Sequence, residues 1–204
     1  MKNVIFLDVD GVLNPDTKEN AGWTFDKDFY SGPYRLYLST DMGQAILGLD
    51  CQIQWLTTWV RHEDDANAVI GPALGWPRQK VATLHLGVEA WDGGDDGLWK
   101  PRSVHHLLAR EEGPESVVWI DDDADFWTEQ YRKACTKFAS RGDPPFVFDP
   151  YDRLLTIVPD SRIGLTKKHI KQIKHFLGRR RNAEVPREQE EDSSTHREGG
   201  GGES

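Results

Sequence analysis

The amino-acid sequence predicts an α/β protein: a doubly wound parallel sheet with helices on both faces, in three α/β/α layers. Two observations carry this. Short apolar runs at residues 4–7, 53–56, 117–120, 146–148 and 154–158 alternate with segments of helical period, the pattern of strands buried on both faces and joined by crossover helices. The first and third of these runs end directly in acids. In open parallel sheets the carboxyl ends of the strands face the crevice that binds ligands, so those acids are expected to meet there.

In chain order, Val4, Ile5, Phe6 and Leu7 form the first expected strand. Asp41 followed by Gln44, with Ala45, Ile46 and Leu49 behind, reads as a capped helix start. The run at 53–56 contains Gln54, which a strand with one wet position accommodates. Lys100-Pro101 puts proline where a first helical turn tolerates it, and Val104, Leu107 and Leu108 recur at helical spacing, so Lys100 stands at a helix entrance. Thr166 is expected to cap the last helix, with Leu165 and Ile170 as a hydrophobic staple and Gly178 as its end. Arg179, Arg180 and Arg181 then lead into a Glu-, Ser- and Gly-rich stretch with almost no apolar residues. Such a tail cannot offset its ordering entropy, and disorder is expected from about residue 182. The expected organisation is one domain over residues 1–178, a short flap at about 15–38, and a charged tail over 179–204.

Composition narrows the function classes. A net charge of −9 over 204 residues argues against a broad phosphate-backbone footprint. Cys51 and Cys135 lie far apart without metal-ligand spacing, which suits a reducing compartment. The apolar run before Asp8 is too short for a signal-peptide core or a membrane span. A cytoplasmic location and no membrane partner are expected.

The most informative segment is Leu7-Asp8-Val9-Asp10-Gly11-Val12, a buried strand running into two acids two residues apart. Like charges at a strand end repel and lose water, which is hard to tolerate unless a cation or a reaction uses them. A solvated turn is the plain alternative, but turns of that kind rarely follow so apolar a run. Residues 117–120 likewise run into Asp121, Asp122, Asp123 and Asp125. Magnesium is commonly held by one or two carboxylates together with substrate phosphate, and this second cluster offers them. A helix N-terminus favours acids too, but that explains one or two of the four. Thr57, with Thr58 as the alternative one position on, stands just past the second run, where a threonine taken alone commonly caps a helix.

Asp8-Val9-Asp10-Gly11-Val12 resembles the first motif of the haloacid dehalogenase (HAD) superfamily of hydrolases. Thr57, Lys100-Pro101 and the acids at 121–125 follow in the order of its other three motifs. The resemblance implies a Rossmann-like HAD fold and a Mg2+-dependent phosphatase with Asp8 as nucleophile and Asp10 as general acid and base. It further implies phosphate contacts from Thr57 or Thr58 and Lys100. Metal ligands would come from Asp8, the main-chain carbonyl of Asp10, and Asp122 or Asp121, with Asp125 ordering bound water.

Substrate choice rests on thinner signals. In the family it is set by cap insertions, and the gaps at 15–38 and 62–99 hold only 24 and 38 residues, too few for a large independent lid. An open site suits a bulky phosphorylated partner, with small esters also admitted. Trp23, Phe25, Phe29, Tyr30, Tyr34 and Tyr37 are available to line its mouth, although ordinary packing of a short flap is the favoured account of such residues. Lys167, Lys168, Lys171, Lys174 and the three arginines form the best local feature for a polyanion. A polynucleotide-end phosphatase is therefore one alternative, and a non-catalytic phosphate-binding domain of the same fold is another. The oligomeric state is not legible.

Overall fold

The computed structural model describes residues 3–18, 22–60, 65–82, 98–110, 112–139, 148–149 and 152–183. Its elements run β1 (Asn3–Leu7), β2 (Lys27–Ser31), β3 (Tyr34–Leu38), α1 (Thr40–Leu47), β4 (Gln52–Trp55), α2 (Gly71–Ala73), β5 (Lys80–Val81), α3 (Trp99–Leu108), β6 (Ser116–Ile120), α4 (Ala124–Ala139), β7 (Leu154–Ile157) and α5 (Lys167–Ala183). A five-stranded sheet in the order β5-β4-β1-β6-β7 forms the centre, and every pairing in it is parallel. β2 and β3 form a separate antiparallel hairpin. The fold is the Rossmann-like α/β arrangement expected.

Successive side chains of a strand point to opposite faces, and the two hydrophobic clusters divide accordingly. Ile5 and Leu7 of β1 and Val118 and Ile120 of β6 join Met42 and Ile46 of α1 and Ile170, Ile173, Phe176 and Leu177 of α5. Val4, Phe6, Val117 and Trp119 join Val104, Leu107 and Leu108 of α3 and Ala124 of α4. β1 and β6 are buried throughout. Each fully buried Val, Leu, Ile or Phe contributes about 1.5–3 kcal/mol of transfer free energy, so the apolar runs that mark these strands also hold them at the centre. In register, Leu7 pairs with both Trp55 and Ile120, so β1, β4 and β6 end level with one another.

Several local expectations are corrected. Ser39, not Asp41, caps α1, its hydroxyl accepting from the Met42 N–H at 3.3 Å. Thr166 does cap α5, with Oγ1 accepting from the His169 N–H at 3.3 Å, and Leu165 and Ile170 are both buried. That helix passes Gly178 and continues to Ala183. A glycine ends a helix by adopting a left-handed conformation, and Gly178 is not among the glycines with positive φ. The expected tail beyond residue 183 lies outside the described residues. Residues 146 and 147 of the expected fourth strand do as well, while Phe148 is in no strand and packs its ring against Trp119, His105 and Tyr131. β5 supplies the fifth strand instead. Both cysteines are partly buried. Among the described residues, no helix is long and apolar enough to cross a membrane.

Candidate active site

Asp8 and Asp121 are the first residues beyond two neighbouring strands. The sheet still holds their backbones: Asp8 N–H donates to the Ile120 carbonyl at 3.0 Å and Asp121 N–H to the Ile157 carbonyl at 3.2 Å. Both side chains are therefore fixed at the carboxyl edge of the sheet. Asp8 is 7 % exposed and Asp121 fully buried. Two buried carboxylates need a counter-charge, and α3 supplies it. Lys100, in the first turn of that helix, donates through Nζ to Asp8 Oδ2 and to Asp121 Oδ2, the latter at 2.7 Å. The other oxygens accept main-chain bonds, Asp8 Oδ1 from Val9 N–H at 2.8 Å and Asp121 Oδ1 from Asp123 N–H at 3.0 Å.

Asp122 completes a group of three with Asp8 and Asp121, each offering an oxygen within 4.8 Å of the others. Gly11 makes room for it. Gly11 has a φ of +66°, which disfavours any other residue, and a Cβ there would lie 2.3 Å from Asp122 Oδ2. The crowding shows in the electrostatics. Burial, reinforced by the charge of Asp8 and opposed by Lys100, pushes the Asp121 carboxyl up to about 6. Burial, followed by the charges of Asp8, Asp121 and Asp123, pushes Asp122 up to about 7. Burial alone disfavours the charged form of Lys100, but the carboxylates of Asp8 and Asp121 outweigh it and hold the ammonium above its ordinary value. Three converging carboxylates, with Asp121 and Asp122 pushed above their ordinary values, are a donor set suited to a hard divalent cation, and Mg2+ fits these residues.

Asp10 stands apart from that group. It is exposed, in the turn after β1 where the N–H groups of Leu13 and Asn14 both donate to the Val9 carbonyl, at 2.8 and 2.9 Å. Its Oδ2 accepts from the indole N–H of Trp59 at 2.8 Å and its Oδ1 from the Asn14 side-chain amide at 3.2 Å. Thr57 is fully buried just beyond β4, beside the end of β1, because Leu56 N–H donates to the Leu7 carbonyl at 2.9 Å. Its Oγ1 accepts from the Trp59 N–H at 3.4 Å. Thr58 is exposed and lines a cavity of about 430 Å³ together with Asp10, Trp59, Asp65 and the turn of the β2–β3 hairpin. Asp123 and Asp125 are exposed at the start of α4, outside the group of three.

The structure thus brings Asp8, Lys100, Asp121 and Asp122 together at one edge, with Asp10 and Thr57 beside them on the neighbouring turns. Sequence reasoning missed Trp59 and Asn14. Asn14 carries a local signal, being four residues past Asp10; the bond from Trp59 spans 49 residues and has none. Of the six aromatic residues of the flap, Tyr34 lines the cavity, whereas Trp23 donates its indole N–H to the Leu165 carbonyl at 2.7 Å and Phe29 packs on the core. Packing accounts for Trp23 and Phe29, and the mouth for Tyr34.

Over residues 4–141 the chain matches the family described as the HAD domain in Swiss Army Knife RNA repair proteins. The match takes in Asp8, Asp10, Thr57, Lys100 and the acids at 121–125. No curated protein matches the chain, and no solved structure does.

Proposed function

The chain belongs to the family of HAD domains in Swiss Army Knife RNA repair proteins, within the HAD-like superfamily, and from that premise we propose that it is a Mg2+-dependent phosphomonoester hydrolase working through an aspartyl-phosphate on Asp8. The observation that carries this is the contrast between two acids in one turn. Asp8 is buried against an ammonium, while Asp10, two residues on, is exposed and held by uncharged donors. A carboxylate fixed in place beside a counter-charge suits a nucleophile, and an exposed one two residues on suits proton transfer.

In the first step a carboxylate oxygen of Asp8 attacks phosphorus while the bond from phosphorus to the leaving oxygen breaks. Asp10, as the carboxylic acid, gives its proton to that oxygen. Asp10, now a carboxylate, takes a proton from water as the water oxygen attacks phosphorus. The bond from phosphorus to Asp8 breaks, inorganic phosphate departs, and both acids regain their starting states. Lys100 stabilises charge on the transferring group, and the Thr57 hydroxyl with the turn N–H groups after it holds a phosphoryl oxygen. Thr58 is the alternative contact. Asp8, Asp122, Asp121 and the main-chain carbonyl of Asp10 would hold Mg2+, with Asp125 in an outer position ordering water. The ion supplies positive charge against the phosphoryl oxygens.

Phosphate release from a panel of monoesters, with and without Mg2+, tests the reading. It requires activity lost in Asp8→Asn, and turnover that survives this change defeats it. A phosphorylated protein accumulating in Asp10→Asn would support the division of labour between the two acids.

A polynucleotide 3′- or 5′-end phosphatase is a second reading. The family description favours it, as do Lys167, Lys168, Lys171 and Lys174, all exposed along α5. It predicts turnover of a phosphorylated oligonucleotide that falls steeply with salt. Equal rates on the matching mononucleotide would sink it.

A further inference from the structure

The hairpin formed by β2 and β3 reaches Asp10 by two routes. Asn14, whose amide donates to Asp10 Oδ1, also donates to the Arg35 carbonyl at 3.3 Å, and its Oδ1 accepts from the Tyr37 N–H at 2.8 Å, both on β3. Trp59, whose indole donates to Asp10 Oδ2, meets Tyr34 edge-on, with ring centroids 5.5 Å apart at 62°. A carboxylate in an exposed turn would otherwise sample several rotamers. A donor on each oxygen selects one.

Trp59 is 8 % exposed, and a buried indole N–H generally finds an acceptor. Here the acceptor is Asp10. The same ring forms one wall of the cavity of about 430 Å³, with Pro33 and Tyr34 of the hairpin turn also on its lining and Asp10 on its wall. That volume lies within the range of small-molecule sites, and such sites are lined mainly by apolar and aromatic groups with a few placed polar ones. Tyr34 is 60 % exposed, so much of its ring remains unpacked.

Resting on the phosphatase reading, we infer that this cavity is the leaving-group subsite, that it takes a flat ring, and that Trp59 is a positioning residue aiming Asp10 at the departing oxygen. The shared chemistry is an aryl or heteroaryl group one or a few bonds from the ester oxygen, whether a benzyl group or the base of a nucleotide. The ring lies against Tyr34 and Trp59. The ester oxygen then lies at Asp10, which delivers its proton as the bond from phosphorus breaks.

Three esters separate these roles: benzyl phosphate, whose alkoxide needs a proton to leave; p-nitrophenyl phosphate, whose phenolate does not; and propyl phosphate, which lacks a ring. kcat/KM is the quantity to compare, because it reads only steps through leaving-group departure. Trp59→Phe keeps a ring and removes the N–H. It should lower the benzyl to p-nitrophenyl ratio of kcat/KM by about 30-fold, within the range of general-acid effects. An unchanged ratio, with both esters slowed alike or neither slowed, overturns the positioning role.

Tyr34→Ala should lower the benzyl to propyl ratio by about 5-fold, as loss of an aromatic contact does. A ratio that stays put overturns the subsite. If Trp59→Phe does not fold, Asn14→Ser removes the donor to the other oxygen of Asp10 and is read by the same benzyl to p-nitrophenyl ratio. A comparison of benzyl phosphate, a nucleoside monophosphate and a phosphorylated oligonucleotide separates the sources of the ring. Asp8→Asn in the same panel keeps the two claims apart: residual turnover there removes the nucleophile reading, whatever Trp59→Phe does to the ratios.

Discussion

The carboxylates at the edge of the sheet are held in two different ways. Asp8 and Asp121 are buried, leave level strands of the same sheet, and share one ammonium. Asp10 is exposed, leaves a turn, and is held by an indole and an amide that carry no charge. An ammonium supplies counter-charge to the buried pair, while an uncharged donor on each oxygen fixes the direction of the exposed carboxylate. On the proposed mechanism, the rigid sheet edge would carry the nucleophile and the metal ligands, and the turn with hairpin-borne donors the group that exchanges a proton.

The sharpest way to break this contrast is to remove charge on the buried side. Asp8→Asn should lower phosphate release on the order of 10⁴-fold or more, in line with loss of a covalent nucleophile, with the circular dichroism spectrum unchanged. Lys100→Met leaves Asp8 and Asp121 facing each other unpaired. Urea unfolding of the metal-free protein should show a loss of about 3–5 kcal/mol. Gly11→Ala places a Cβ on the Asp122 carboxylate, 2.3 Å from Oδ2. The Mg2+ concentration for half-maximal activity should rise about 10–100-fold.

A pH series on stability sharpens the comparison further. Asp121 at about 6 and Asp122 at about 7 lie above the ordinary carboxyl value of 3.8, so the folded metal-free protein binds protons more tightly than the unfolded chain. Their contribution is complete below pH 3.8 and is lost as pH rises through about 6 to 7. Saturating Mg2+ should flatten that decline. Beside the hairpin the sign is reversed. The Thr40 N–H and hydroxyl hold Asp26 at about 2, so its contribution exists above pH 3.8 and is lost as pH falls through about 2. Midpoints of denaturant unfolding across that range check both. The smallest effect is expected at Asp28, whose pairs with Lys18 and Arg35 lie on the surface of the hairpin. Asp28→Asn should leave the melting temperature within experimental error, because exposed ion pairs contribute little.

How much of this was legible in the sequence follows from the range of the interactions involved. β1 and β6 are continuous apolar runs because both faces are buried, so their periodicity and their acidic ends could be read directly. β5 is two residues long and includes an exposed lysine, too short for any pattern. Ser39 lost to Asp41 as the expected cap because both residue types suit that position and only the hydrogen bond distinguishes them. Gly178 misled for a related reason. Glycine permits a helix end without requiring one, and a Cβ at that position would meet nothing within 4 Å. In the site, the acids, Thr57 and Lys100 follow an order along the chain, whereas Trp59 meets Asp10 only after β1 and β4 have paired.

Lys100 has one more consequence, in the valence of what the pocket can hold. With Asp8, Asp121 and Asp122 ionised and Lys100 protonated, the group carries two net negative charges. A dication brings it to electroneutrality, while a monovalent ion leaves it negative and a trivalent one overshoots. Without the ammonium, the same three carboxylates would balance a trivalent ion instead. One lysine at the start of α3 therefore sets the charge state that the strand ends favour, before size or coordination number has any say.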